Sequence, residues 1–70
     1  MYEVRLRSRR VRRELSALGR GDQERVLDQF ESLSTEPRPN GTVKLEDGIY
    51  RLRIGNFRVF YLIDEERRRI

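Results

Sequence analysis

The chain has 70 residues, with 16 basic and 12 acidic side chains and a net charge of +4. That is one small domain, and folding buries only about 60% of the surface its unfolded chain exposes. The absence of Cys and His excludes disulfides and Cys/His metal centres and removes the commonest proton shuttle. No apolar run approaches the roughly 20 residues that cross a bilayer. Glu3, Arg5 and Arg7 interrupt any signal-peptide core, and a disulfide-free small domain fits a reducing cytoplasm. Fifteen of the basic residues are Arg and one, Lys44, is Lys. They gather at the two ends: residues 1–20 carry seven Arg against two Glu, residues 21–48 three basic against seven acidic, and residues 49–70 six Arg against three acidic. Such a distribution favours a polyanion or an acidic protein as partner.

Tyr2 to Arg7 alternate apolar and charged residues, the pattern of a half-buried strand with Tyr2, Val4 and Leu6 inward. Ser8 is a suitable cap for a following helix. Val11, Leu15 and Leu18 then fall on one helical stripe, and Gly19 is a suitable stop. Arg9, Arg10, Arg12 and Arg13 line the polar side of this helix, where they oppose the positive end of its dipole. They are either a binding feature or a tolerated surface. Gly19-Arg20-Gly21 reads as a break, and Asp22 as the cap of a second helix with its stripe at Val26, Phe30 and Leu33, widened by Leu27. A short connection makes the two helices an antiparallel hairpin. The second helix ends before Pro37, and Pro37 to Gly41 form a loop. Thr42 to Leu45 read as a short extended segment, and Glu46-Asp47-Gly48 as a turn.

Tyr50 to Tyr61 form the clearest element. Two runs of aromatic and branched residues flank Gly55-Asn56, the composition of a β-hairpin with a two-residue turn. That loop length pairs Ile54 with Phe57, Arg53 with Arg58, Leu52 with Val59, Arg51 with Phe60 and Tyr50 with Tyr61. Opposed residues share a face and successive residues alternate faces. Tyr50, Leu52, Ile54, Phe57, Val59 and Tyr61 therefore form a core face, and Arg51, Arg53 and Arg58 share the other face with Phe60. Direct opposition of like charges destabilises a sheet, so a cost accepted there points to an anion. Arginine suits phosphate because its planar fork gives two parallel hydrogen bonds. The alternative is a solvated face whose charges keep the sheet soluble. Asp64-Glu65-Glu66 read as a further turn. Arg67 to Arg69 are either a basic tail or the start of a strand pairing with residues 57–63. The resulting architecture is α+β: an N-terminal strand and a two-helix hairpin packed on a mainly antiparallel sheet of about three to four strands.

With these pieces in that order, the sequence resembles the RelE/ParE superfamily of toxins from type II toxin–antitoxin pairs, over nearly all of residues 1–70. The resemblance rests on Tyr2-Glu3-Val4, the two amphipathic helices, the Pro-containing loop, Lys44-Leu45 and above all the Tyr50–Tyr61 hairpin, whose form is that of the RelE-like branch. It implies one toxin domain that cuts messenger RNA in the ribosome without a cofactor. The RNA's own 2′-hydroxyl would be the nucleophile. Arg51, Arg53 and Arg58 would stabilise the charged phosphorane, while Lys44, Arg9, Arg10, Arg12 and Arg13 would contact RNA. Arginine neutralises charge but stays protonated, so it does not serve as the base.

The implied partners are a cognate antitoxin, laid over the basic face by an acidic and partly helical segment, together with mRNA and the ribosome, and no membrane. Relatives usually continue past the turn at 64–66 with a further strand bearing a basic residue and often a tyrosine. On this reading residues 67–70 are either that strand cut short or the first part of one that a longer chain would continue. Alternation places Tyr50 and Tyr61 on the core face, so neither supplies the missing tyrosine. Two other functions are consistent with the resemblance: inhibition of DNA gyrase by protein binding, as in the ParE-like branch, and a shortened, inactive toxin that only binds antitoxin or RNA.

Overall fold

The computed structural model describes residues 1–70. Ser8 is extended (φ −151°, ψ 168°), and its Oγ accepts from the Val11 amide at 3.4 Å. It thereby satisfies one of the amides that helix geometry leaves unpaired. Helix α1, Arg9–Ser16, follows with no acidic residue in its first turn. The second helix, α2 (Arg20–Leu33), starts three residues earlier than an Asp22 cap would place it. Gly19 is its cap, with no side-chain hydrogen bond, and Asp22 lies inside the first turn. There Asp22 still favours the helix, because a carboxylate near the N-terminus meets the positive end of the dipole. The Gln23 side chain donates to the Leu15 carbonyl at 3.1 Å, and this contact ties the start of α2 to the end of α1. The extended φ/ψ at Gly19 (−61°, 157°) turns the chain between the helices.

Three antiparallel strands in the order β1-β2-β3 make the sheet: β1 Val43–Glu46, β2 Ile49–Ile54 and β3 Phe57–Leu62. Asp47 and Gly48 link the first two strands, and Gly48 takes φ 79°. Pairing shifts between Lys44 and Glu46, leaving Leu45 in a bulge. The pairing of β2 with β3 has the register that the two-residue loop dictates, from Tyr50↔Tyr61 to Ile54↔Phe57. Gly55 has φ 59°, whereas Asn56 is not in the left-handed region, the φ pattern of a II′ turn.

Val26 and Leu33 of α2 and Leu52 and Ile54 of β2 are buried together, with Leu15, Leu18, Phe30 and Val59 packed around them. The helices thus cover the face that carries Leu52 and Ile54 and leave the arginine face open. Leu27 departs from the expected stripe: it is 45% exposed, while Val26 beside it is buried.

The first segment behaves differently from a sheet strand. Its burial alternates as expected, with Tyr2, Val4 and Leu6 half-buried and Glu3, Arg5 and Arg7 exposed. Its backbone, however, pairs in parallel with the C-terminal residues and makes only an isolated bridge, Glu3↔Arg69. The Glu3 amide donates to Arg68 O at 2.8 Å, Ile70 N to Glu3 O at 2.8 Å and Arg5 N to Ile70 O at 2.9 Å. Arg67 to Arg69 are accordingly no free tail. The chain turns through residues 65–68, with Arg68 at φ 55°. Arg69 then pairs back to Asp64, just beyond the end of β3, through hydrogen bonds of 2.8 and 3.1 Å.

Candidate nucleic-acid interface

The pleat of β2 and the register of the hairpin sort the outer face into rows. Arg53 opposes Arg58 nearest the turn; Val43, Arg51 and Phe60 form the next row across all three strands; Ile49 opposes Leu62 in the third. Arg53 and Arg58 are exposed and Arg51 is half-buried. Cross-strand neighbours stand about 4.5–5.5 Å apart at Cβ, so one phosphate group is within reach of more than one guanidinium. None of the three forms a salt bridge, whereas Arg5, Arg10, Arg20, Arg38, Lys44, Arg67 and Arg69 do. Their charge is left uncompensated by the protein, as an anion-binding surface requires.

A further arginine reaches the hairpin tip. Arg25 of α2 lies over the turn, its Nη1 2.8 Å from where a β-carbon on Gly55 would stand. Arg53 folds toward the same turn and donates from Nε to the Gly55 carbonyl at 3.0 Å. Sequence reading missed Arg25, because a helical arginine outside the apolar stripe carries no signal of which loop it meets. A Gly in the turn explains the approach, since any side chain there would meet the guanidinium.

Other sequence-based candidates lie elsewhere. Lys44 pairs with Tyr50 in register, which puts it on the opposite face from Arg51, and its Nζ is 3.3 Å from Asp47. Arg9, Arg10, Arg12 and Arg13 are exposed on α1, in the helical layer across the sheet from Arg51, Arg53 and Arg58. Arg10 is matched by Glu14 at 3.1 Å, and the other three have no carboxylate partner.

The tyrosines face inward as alternation requires. Tyr50 and Tyr61 stack with ring centroids 5.8 Å apart. Burial pushes the Tyr61 phenol upward from its usual range, and its hydroxyl donates to Pro37 O at 2.7 Å. Tyr50 lies under Arg38, whose guanidinium carbon is 5.1 Å from the ring centroid and whose Nε donates to the Tyr50 hydroxyl at 3.1 Å. Arg38 Nη2 also donates to Glu65 at 2.7 Å, and the Tyr2 hydroxyl donates to the other oxygen of the same carboxylate at 2.7 Å. The Arg38 hydrogen bond, with that of Tyr2, holds the Glu65 carboxyl below the usual range. These contacts pin the Pro37–Thr42 loop and the 64–68 turn to the helix side of the sheet. They occupy both tyrosine hydroxyls in structure and leave them outside the arginine face.

Residues 5–70 match the family described as ParE toxin of type II toxin-antitoxin system, parDE. The chain belongs to this toxin family. Comparison with curated proteins and with solved structures gave no match. Membership places the chain in the RelE/ParE superfamily, and its two helices on an antiparallel sheet agree with that fold. Because the family consists of the toxin halves of toxin–antitoxin pairs, a cognate antitoxin is the partner it implies. No helix of this toxin is long and apolar enough to cross a membrane.

Proposed function

We propose that residues 1–70 act as one toxin domain that holds messenger RNA on the outer face of the hairpin and cuts it in the ribosome. The observation that carries this reading is the Arg53–Arg58 pair beside Arg51, three guanidinium groups in one patch with no carboxylate to match them. In the reaction the 2′-hydroxyl oxygen of the RNA attacks the neighbouring phosphorus. Its proton leaves to water as the bond to the 5′-oxygen breaks and that oxygen takes a proton. Arg51, Arg53 and Arg58 stabilise the extra charge of the phosphorane, a role suited to groups that stay protonated. Arg9, Arg10, Arg12, Arg13 and Lys44, which lie away from that face, contact RNA at a distance from the cut. The cognate antitoxin opposes the activity by laying acidic residues over the patch, and toxin and antitoxin work in the cytoplasm.

A second reading has its own support. The matched family is described by its ParE member, and the arginine face also exposes Val43, Phe60 and Leu62, apolar groups that suit a protein surface. On that reading the toxin binds DNA gyrase and cuts no RNA. Induced expression of Arg51→Ala, Arg53→Ala and Arg58→Ala variants tests the assignment of the face. Each is expected to relieve growth arrest while the protein stays folded. Full toxicity of all three would remove the arginines from the function.

A further inference from the structure

One group on the arginine face is neither charged nor covered. Phe60 is 63% exposed, more than any other large apolar residue except Met1. It opposes Arg51 in the ladder. Arg58 precedes it by two residues on the same strand and face, about 6.6–6.8 Å away along the strand, and Arg53 is its diagonal neighbour. Phe60 thereby has Arg51 opposite it and Arg58 beside it on the same face, two arginines that no carboxylate neutralises, while Arg53 turns toward the Gly55 carbonyl. Scattered apolar residues on a surface need no explanation. An aromatic residue between unmatched arginines on one strand face is different, because it offers a flat π-face next to phosphate-binding groups. That combination of a basic groove and a stacking platform is how proteins hold single-stranded nucleic acid.

We propose that Phe60 is a base-stacking platform for single-stranded RNA, receiving one unpaired base while Arg51 and Arg58 hold the phosphates on either side of it. This rests on the RNA reading of the arginine face and adds to it a requirement for an unpaired base. A duplex keeps its bases stacked on one another and presents only backbone to this surface.

The toxin contains no Trp, so Phe60→Trp introduces a single tryptophan, excited selectively over the three tyrosines. The probe is an eight-nucleotide mixed-sequence oligoribonucleotide, compared with the same length of backbone carrying abasic sites and with a duplex of the same sequence. Saturable quenching is expected with the base-bearing single strand and little with the other two. Phe60→Ala is expected to weaken single-strand binding about 5- to 150-fold, the equivalent of one lost stacking contact, and to leave abasic binding unchanged. Arg58→Ala weakens binding to all three and lowers the salt dependence by about one charge.

Equal affinity for base-bearing and abasic strands, with no effect of Phe60→Ala but a clear effect of Arg58→Ala, overturns the stacking proposal and leaves the RNA face standing. Salt-independent binding that Arg58→Ala does not touch removes the RNA reading as well. If Phe60→Ala weakens only the binding of a protein partner, Phe60 is a protein anchor and the proposal fails. Circular dichroism of each variant establishes that it is folded, and Phe60→Leu, which also lacks the ring, serves in place of Phe60→Ala if that variant is not.

Discussion

Arg58 and Arg38 are both arginines, yet the structure puts them to opposite uses. Arg38 is committed to Tyr50 and Glu65, and Arg58 has no carboxylate partner. Replacing Arg58 should leave thermal stability nearly unchanged, because an exposed, unmatched charge contributes little to folding and its removal relieves the opposition to Arg53. Arg58→Lys should restore only part of the activity lost in Arg58→Ala, since an ammonium lacks the planar fork. Dose–response of growth arrest and melting temperature together check both statements.

Glu65 gives a prediction of its own at this scale. Its carboxyl is held below the usual range in the folded protein, so the unfolded chain binds its proton more readily. Its contribution is therefore present above the ordinary Glu range and is lost as pH falls through the lower folded value. Glu65→Gln should flatten the acid side of the stability profile below about pH 4 while changing it little at pH 7 beyond a constant offset. An acid limb as steep as the parent's would show that the Tyr2–Glu65–Arg38 contacts do not hold the turn.

Among elements, the hairpin was the most legible and the helix junction the least. A two-residue Gly-Asn loop leaves one register once alternating residues need a buried face, so Arg53↔Arg58 followed from spacing alone. Asp22 is the better cap by residue type, but the cap is Gly19 and the helix begins at Arg20, where extended dihedrals at Gly19 and the Gln23 contact with α1 decide the boundary. Local preference named a good cap, and tertiary contact chose another. The N-terminal strand failed for a related reason. Its alternation predicted burial correctly, but pairing depends on the position of Arg69 and Ile70, which lie at the other end of the chain.

The hairpin turn supplies the test at this scale. Gly55→Ala should destabilise the protein by about 1–3 kcal/mol, because a β-carbon is strained at φ 59° and also meets Arg25. Adding Arg25→Ala should return little of that loss, since the exposed Arg25 guanidinium can swing aside while the backbone strain remains. Urea unfolding of the single and double variants separates the two contributions.

At the scale of the whole molecule, the core is small and its energy is concentrated. Leu33 is the one large side chain that is essentially sealed, at 1% exposure, and it fills the space between α2 and the sheet. Leu33→Ala should cost about 2–5 kcal/mol. Against the thin stability of a domain this size, that loss should leave much of the chain unfolded at 37 °C by circular dichroism. Fold class was readable because apolar stripes of period 3.6 and 2 must each find a covered face. The site was readable only in part. Arg51, Arg53 and Arg58 come together by strand pairing, which spacing encodes. Arg25 arrives by packing, and the separation of Lys44 from that face follows from its pairing with Tyr50 in β1, which a four-residue segment did not announce.

The same scale holds the functional question, because a basic sheet face backed by two helices can be turned toward RNA or toward a protein. Mapping mRNA 5′ ends and measuring plasmid supercoiling after induction, in cells carrying the parent toxin or its Arg58→Ala variant, bears on it most directly. New 5′ ends within codons that appear with the parent and vanish with Arg58→Ala, with supercoiling unaltered, are the predicted result. Unchanged mRNA ends alongside altered supercoiling or gyrase-linked DNA damage would contradict it.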